Sequence, residues 1–245
     1  MQIHLGYLII SSLILASYPF IGLLLFIHKR IIFTLSNYLL IFTFGTFWGN
    51  ILFHLLPATL KKLPIKEILI FLPLGMLISW TIDKFIQHKC QRGINSIAYH
   101  LFSNDVLHNF MDGIIILLSY GISPLSGISS TLAVLLHEIP HELCEWGIML
   151  KANFSYRKVV LLNLIAAMVA IAGMGAAYLF FQLFQTWTPY FVATITGNFI
   201  FIANAKLLPL ALRSTMPIVT FRNLLVFFSG FLLIGCSNFI HPHLH

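Results

Sequence analysis

The sequence predicts an all-α membrane protein that crosses the bilayer eight times. Of its 245 residues, 59% are hydrophobic and only 9% are charged, whereas a soluble domain carries about 25% charged residues. Apolar stretches recur along the chain, and each is long enough to cross a ~30 Å hydrocarbon core as a helix. They occupy residues 5–27, 37–60, 65–82, 97–120, 126–150, 159–184, 189–212 and 217–240, numbered here as spans one to eight. The connections are short, so we expect residues 1–245 to form a single transmembrane domain.

The distribution of lysine and arginine predicts the orientation of these spans. If the N-terminus lies outside the cytoplasm, the outward loops carry only Lys61, Lys62 and Lys66. The inward loops then carry Lys29, Arg30, Lys84, Lys89, Arg92, Lys151, Arg157, Lys158, Arg213 and Arg222. Because basic residues concentrate in cytoplasmic loops, we expect both termini to be extracytoplasmic. The basic residues are scattered over separate loops, so the net charge of +7 predicts contact with anionic lipid and no nucleic-acid partner.

Spans two and seven share a short sequence pattern. Span two has Gly-Asn at 49–50 and Leu-Leu-Pro at 55–57, and span seven has Gly-Asn at 197–198 and Leu-Leu-Pro at 207–209. Since these spans run in opposite directions in the expected topology, the pattern predicts an inverted repeat and a 3+2+3 helical bundle. Chance similarity between apolar helices is the alternative.

Span four carries polar side chains inside an apolar stretch. His108 and Asp112 are four residues apart and therefore share one face of a helix. Asp105 lies one turn before His108 on that face, and Asn109 can serve the same cavity from its edge. Ionisable groups at membrane depth cost about 3 kcal/mol each on insertion scales, so they are rarely present without a function.

Span five carries a second polar set. His137 and His141 are again four residues apart, and Glu138, Glu142 and Glu145 form a stripe beside them. Imidazole, carboxylate and carboxamide donors at helical spacing suit Zn²⁺ and other borderline divalent ions. The predicted metal ligands between the two spans are His108, Asn109, Asp112, His137, Glu138, His141 and Glu142. We expect the metal to pass through as a transported substrate, and we expect no catalytic cofactor.

Two other interpretations use the same residues. One is a buried polar network without metal, but four carboxylates without a cation could hardly all stay ionised. The other is an intramembrane zinc metalloprotease, because residues 137–141, HEIPH, match the H-E-x-x-H zinc pattern. Pro140 would bend the helix that holds both histidines in register, and no acid follows Glu145 as a further ligand. The protein is therefore predicted not to be an enzyme.

Four more residues are candidates for the path of the metal: Asp105, Glu145, His54 and Lys206. A lone histidine in an apolar helix is more often a hydrogen-bonded packing residue, which is the alternative for His54. A lysine within an apolar span must reach the interface or meet an acid. Lys206 therefore either anchors to lipid headgroups or gates metal release by pairing with Glu145 or another acid.

These motifs resemble the paired signature of the ZIP (Zrt/Irt-like) divalent metal transporters, in a compact, prokaryotic-type form. The resemblance rests on HNFMDG at 108–113 followed by HEIPHEL at 137–143. His-Leu-Leu-Pro at 54–57 and Gly-Asn-Phe at 197–199 are similar to further patterns of the family. The resemblance covers nearly the whole chain.

The resemblance implies import of zinc, or of Fe²⁺, Mn²⁺ or Cd²⁺, into the cytoplasm by alternating access through a site that is often binuclear. By position it implies that one metal is held by His108, Asp112, His137 and His141. The second is lined by Asn109, Asp112, Glu138 and His141 or Glu142, with Asp112 bridging. Spans one, four, five and six would move together against spans two, three, seven and eight. A transport-inactive metal-binding or sensing protein is the alternative.

The sequence also departs from the family pattern. After the Leu-Leu-Pro of spans two and seven, members often have an acid where this chain has Ala58 and Leu210, and Lys206 stands where an acid is common. The compact form predicts a multi-pass protein of the bacterial inner membrane. The expected partners are divalent metal ions, the lipid bilayer and a second copy of the chain in a homodimer.

Overall fold

A computed structural model describes residues 5–17, 19, 29–90, 93–212 and 221–240, and these residues are almost entirely helical. The helices are α1 (Leu5–Ser17), α3 (Ile65–Cys90), α4 (Ile94–Ile122), α5 (Pro124–Lys151), α6 (Tyr156–Leu179) and α8 (Phe221–Ile240). Two longer helices each contain a π-helical turn. They are α2 (Lys29–Asn50, π-turn Ile51–Leu55, then Leu56–Lys62) and α7 (Phe181–Ile202, π-turn Ala203–Leu207, then Leu208–Leu212). The all-α prediction is confirmed.

Each predicted span overlaps one of these helices, although their lengths differ. Within the described residues, five helical segments are long and apolar enough to cross a membrane: Tyr38–Lys62, Ile65–Lys89, Ile94–Ile122, Tyr156–Leu179 and Phe181–Leu212. The apolar segments of the other three are shorter, at Gly6–Ser17, Pro124–Leu135 and Phe221–Gly235. The chain is therefore a multi-pass helical protein, and the number of eight crossings stays a prediction.

Local sequence explains where two of the helices begin. Ser123 precedes α5, and its Oγ accepts a hydrogen bond of 3.1 Å from the backbone N–H of Ser126. Pro124 follows at the first helical position, where its missing N–H costs nothing. Ser155 caps α6 in the same way and accepts a 3.4 Å hydrogen bond from the backbone of Lys158. These serines satisfy amide groups that a helix start would otherwise leave unpaired.

The helices pack in two groups. Helix α4 lies against α5 and α6, and α1 contacts α5 and α6. In the other group α2 packs against α8, and α3 packs against α7. The groups meet where α2 contacts α5 and where α4 contacts α7 and α3. The site described below lies along this meeting surface.

Glycines let the helix backbones approach closely within each group. A Cβ atom on Gly113 of α4 would overlap the carbonyl oxygen of Ala170, and one on Gly173 of α6 would overlap that of Phe110. Helices α3 and α7 cross in the same way at Gly75 and Gly197. Such small-residue contacts replace the hydrophobic driving force that is missing between helices in lipid.

The two π-turns lie at corresponding places in the sequence pattern shared by spans two and seven. Each is followed directly by Leu-Pro, at 56–57 in α2 and at 208–209 in α7. His54 is the fourth residue of the first π-turn, and Lys206 is the fourth residue of the second. The similarity thus extends from sequence to local backbone structure, whereas the inverted repeat of the whole bundle stays a prediction. Single π-turns inside α-helices occur frequently at functional sites.

Candidate metal centre

Helix α4 supplies four buried polar side chains to the centre. Asn109 Nδ2 donates hydrogen bonds to Asp105, at 2.9 Å to its carboxylate Oδ1 and at 3.1 Å to its backbone carbonyl. His108 Nε2 lies 3.6 Å from Asp112 Oδ2. All four are at most 4% exposed. Each pair spans four residues, so α4 presents two adjoining stripes of donors to α5.

Helix α5 completes the centre from the opposite side. Glu138 lies between the two stripes, with Oε1 3.5 Å from His108 Nε2 and Oε2 accepting a 3.4 Å hydrogen bond from Asn109. His141 lies between Asp105 and Glu145, with Nδ1 3.7 Å from Asp105 Oδ1 and Nε2 3.9 Å from Glu145 Oε1. The α4 and α5 residues predicted as ligands are therefore brought together. The His137 side chain lies outside the described part of the chain.

Three overlapping groups of donor atoms could each hold a metal ion. Within each group the ligand atoms all lie within 4.8 Å of one another. The groups are His108, Asp112 and Glu138; Asp105, Glu138 and Glu142; and Asp105, His141 and Glu145. In this arrangement Asp105 and Glu138 are each shared by two groups, whereas Asp112 belongs to one. Asp105 and Glu145, predicted as pathway residues, thus lie within the cluster, and the assignment of ligands to individual metals stays a prediction.

The electrostatics of the centre favour a cation. The carboxylates of Asp105, Asp112, Glu138, Glu142 and Glu145 are all at most 5% exposed. Within the described residues, both oxygens of Glu145 and Oδ2 of Asp105 are buried without a hydrogen-bond partner. Buried carboxylates are costly unless they are paired or coordinate metal. A divalent ion would supply the charge and the bonds that these oxygens need.

Aromatic side chains enclose the centre on one side. The ring of Phe47 from α2 stacks on His141 at a centroid distance of 5.1 Å, and Phe199 from α7 lies 5.0 Å from His108. The two phenylalanine rings are 4.8 Å apart. Trp146 donates a 2.9 Å hydrogen bond from Nε1 to Glu142 Oε2. None of these three aromatic residues was given a role at the centre from the sequence, although the four-residue spacing of Glu142 and Trp146 could have indicated that pair.

A cavity of about 790 Å³ leads from one end of the bundle to the centre. It opens between the C-terminal ends of α2 and α4 and the N-terminal end of α7, where Lys62, Ile122 and Phe181 line it. Asp112 and His54 line the same cavity. His54, predicted as a pathway residue, therefore lines the cavity that reaches Asp112 of the metal centre.

Lys206 is placed away from the centre. Its ammonium group forms an ion pair with Asp83 of α3, and it is 9% exposed. The sequence left open whether Lys206 reaches the headgroups or meets Glu145 or another acid. The structure selects another acid, which comes from a helix that the sequence pattern did not connect with span seven.

The structure combines apolar helices long enough to span a membrane with a buried histidine–carboxylate centre between two of them. These two features define a multi-pass membrane protein with a candidate site for divalent cations. Residues 86–238 match the family described as ZIP Zinc transporter, and the chain belongs to this family. The resemblance noted in the sequence is confirmed at the level of the family. Since the family consists of transporters, membership agrees with the prediction that the protein is not an enzyme.

The similarity to individual relatives covers about half of this chain. Zinc transporter ZIP10 of Danio rerio is 36% identical over 123 residues, which are 50% of this chain and 14% of the relative. Zinc transporter ZIP10 of Homo sapiens is 34% identical over 119 residues, or 49% of this chain and 14% of the relative. Zinc transporter ZIP4 of Homo sapiens is 34% identical over 121 residues, or 49% and 18%. The chain therefore matches less than one fifth of these animal proteins.

Proposed function

We propose that the protein moves divalent metal cations, with zinc as the main substrate, across the membrane into the cytoplasm. Transport proceeds by alternating access through the centre between α4 and α5. The observation that carries this proposal is the set of overlapping, buried donor groups at the base of a cavity. A metal that only stabilised a fold would need one closed site. Several adjoining groups next to an open cavity suit an ion that enters, is passed on and leaves. The relatives are named zinc transporters, which supports zinc as the substrate.

The cavity and the distribution of charge support entry of the metal from outside the cytoplasm. The positive-inside rule places the N-termini of α1, α3, α5 and α7 outside the cytoplasm. The large cavity opens at the N-terminal end of α7 and the C-terminal ends of α2 and α4, which are the outward ends in this topology. The cavity therefore admits metal from outside. The arrangement of both termini outside the cytoplasm is part of the same proposal.

The two packing groups supply the parts that alternating access needs. Helices α4 and α5, which carry the centre, belong to the group with α1 and α6, and Phe47 and Phe199 belong to the other group. Movement of the first group against the second would carry the donors past these rings. We propose that a 3+2+3 inverted repeat, which the paired π-turns of α2 and α7 suggest, relates helices α1 to α3 to helices α6 to α8.

Uptake of radioactive zinc into liposomes reconstituted with the purified chain tests the proposal. Uptake above that of empty liposomes, with competition by Fe²⁺, Mn²⁺ or Cd²⁺ giving the selectivity, is the expected result. Saturable zinc binding without uptake would instead identify a metal-binding or sensing protein. Chemical cross-linking in the same liposomes tests the predicted homodimer. The predicted location in a bacterial inner membrane gains no support from the ZIP10 and ZIP4 relatives, which are animal proteins.

A further inference from the structure

A second buried cluster of polar residues lies outside the metal centre. Lys206 from α7 forms an ion pair with Asp83 from α3, and His100 Nδ1 from α4 lies 3.4 Å from the same carboxylate oxygen of Asp83. His100 Nε2 is hydrogen-bonded to Ser79 Oγ at 2.9 Å, and Gln87 donates a 2.6 Å hydrogen bond to the other oxygen of Asp83. Asp83 and His100 are 5% and 1% exposed. The cluster thus joins three helices.

A line of buried polar residues on α4 connects this cluster with the metal centre. Polar side chains recur on this helix every four residues, and each is at most 4% exposed. They are Ser96, His100, Asn104, His108 and Asp112. Between the cluster and the centre, Asn104 accepts a 2.6 Å hydrogen bond from Asn198 of α7. A row of polar groups therefore winds along α4, from the side that meets α3 at His100 to the side that meets α5 at the metal centre.

Each end of this row meets a cavity. Asp112 at one end lines the large cavity described above. Ser96 at the other end lines a cavity of about 290 Å³, together with Gln87 and Lys206. This smaller cavity lies at the C-terminal ends of α3 and α7 and the N-terminal end of α4, which face the cytoplasm in the proposed topology. His100 and its partners thus separate the cytoplasmic cavity from the metal centre.

We propose that Asp83, His100 and Lys206 form the cytoplasmic gate of the metal pathway, an inference that rests on the proposed transport function. The ion pair joins α3 to α7, which belong to one packing group and cross closely at Gly75 and Gly197. It therefore stays intact when α4 moves. Movement of α4 must break the bonds of His100 to Asp83 and Ser79, which tie α4 to the other group together with the hydrogen bond between Asn198 and Asn104.

Lys206 has a separate role in this gate. A bare carboxylate in the pathway would hold a departing dication, because opposite charges attract strongly where water is scarce. The ammonium group neutralises Asp83 and is itself compensated, since buried charges are tolerated when paired. Asp83 can then bind His100 in the closed state, and in the open state it does not hold the departing metal. A lysine at this position is consistent with a gate and would be unsuited to a metal-binding step.

Cysteine accessibility in membrane vesicles that expose the cytoplasmic face tests the gate. Asn104→Cys places a reporter behind the gate, and Ser96→Cys places one in front of it. The loss of the Asn198 hydrogen bond at position 104 is the same in the parent and in every gate variant, so it cancels in the comparison. A membrane-impermeant methanethiosulfonate is added from the cytoplasmic side, and labelling of each introduced cysteine is read by mass spectrometry of its peptide. In the otherwise unchanged chain we expect labelling at position 96 and protection at position 104. Equal labelling of the two positions would overturn the proposal.

Variants of the gate then supply the decisive comparison. Because His100→Ala removes both contacts that tie α4 to α3, it should raise the labelling rate at position 104 about tenfold. Ser79→Ala removes one contact and should give a smaller rise, which keeps the test open if His100→Ala does not fold. The matched control is Tyr120→Phe, which removes a buried 2.8 Å hydrogen bond between α1 and α4 of the same packing group and should change nothing.

The outcome is independent of whether zinc is carried. If neither His100→Ala nor Ser79→Ala exposes position 104 while the parent chain takes up zinc, the gate is refuted and the transport function stands. If the variants expose position 104 while the parent takes up no zinc, the closure by His100 stands and the transport proposal fails.

Discussion

Replacing Glu138 by glutamine tests the metal centre most directly, because it removes one charge and almost no volume. Glu138 is fully buried and belongs to two of the three donor groups. Its carboxylate faces His108 at 3.5 Å and Asn109 at 3.4 Å. Leaving a buried ion without its partner costs about 3–5 kcal/mol, so the Kd for zinc should rise between about 100-fold and about 5,000-fold.

The same substitution should have the opposite effect on the metal-free protein. The five carboxylates of the centre are crowded and buried, and like charges in one site destabilise each other. Glu138→Gln removes one of them, so the melting temperature without metal should rise. The stabilisation that zinc adds should shrink, because it depends on the ratio of zinc concentration to Kd. A mutation that merely damaged the fold would lower both values.

Thermal unfolding in detergent, with and without zinc, together with calorimetric zinc titration, measures both effects. Glu67→Gln is the matched control, since it makes the same chemical change near the start of α3, outside all three donor groups. The reasoning is refuted if Glu138→Gln binds zinc with unchanged Kd, or if the metal-free protein loses stability. Uptake by the two variants at equal abundance in liposomes then connects binding with transport.

Two further predictions concern packing and ligand orientation. Gly113→Ala should lower the melting temperature, because the new Cβ meets the Ala170 carbonyl, whereas Gly175→Ala on α6, with open space around it, should leave it unchanged or higher. Circular dichroism melts of both variants check this, and equal behaviour would contradict the close crossing. Trp146→Phe keeps an aromatic ring but removes the hydrogen bond to Glu142, so zinc affinity should fall about tenfold with folding preserved. Unchanged affinity in the titration would show that Glu142 needs no support.

The sequence predicted the elements whose signals are local. Apolar length predicts helices, and four-residue spacing predicts that His108 and Asp112 share one face of a helix. In the structure His108 lies beside both Asp112 and Glu138 of the next helix. Even there, the position of Asp105 at the middle of the donor groups came from the way the two helices meet. The spacing within one helix carries no information about that angle. Predictions from sequence therefore reach the ligand set more readily than its division among metals.

Contacts between distant helices could not be read in this way. The partner of Lys206 is Asp83, which is separated from it by helices α4 to α6 along the chain and becomes a neighbour only because α3 crosses α7 at two glycines. The spacing within α4 likewise gives no sign of the partners of His100, because Ser79 and Asp83 lie on another helix. Taken alone, each of these residues can be interpreted as an ordinary packing or surface residue of its helix. Their function as a cluster exists only in the folded bundle.

The two π-turns lie near opposite ends of the proposed pathway. His54 and Lys206 hold the same position in their respective turns, yet His54 lines the large cavity with Asp112 and Lys206 lines the small one. In an inverted repeat, equivalent positions fall on opposite sides of the membrane, so one turn would face the entrance and the other the exit. A neutral imidazole can bind an arriving divalent ion, whereas an ammonium group repels it and can neutralise a carboxylate in its path. The divergence of these two residues therefore matches what metal entrance and metal release would each require.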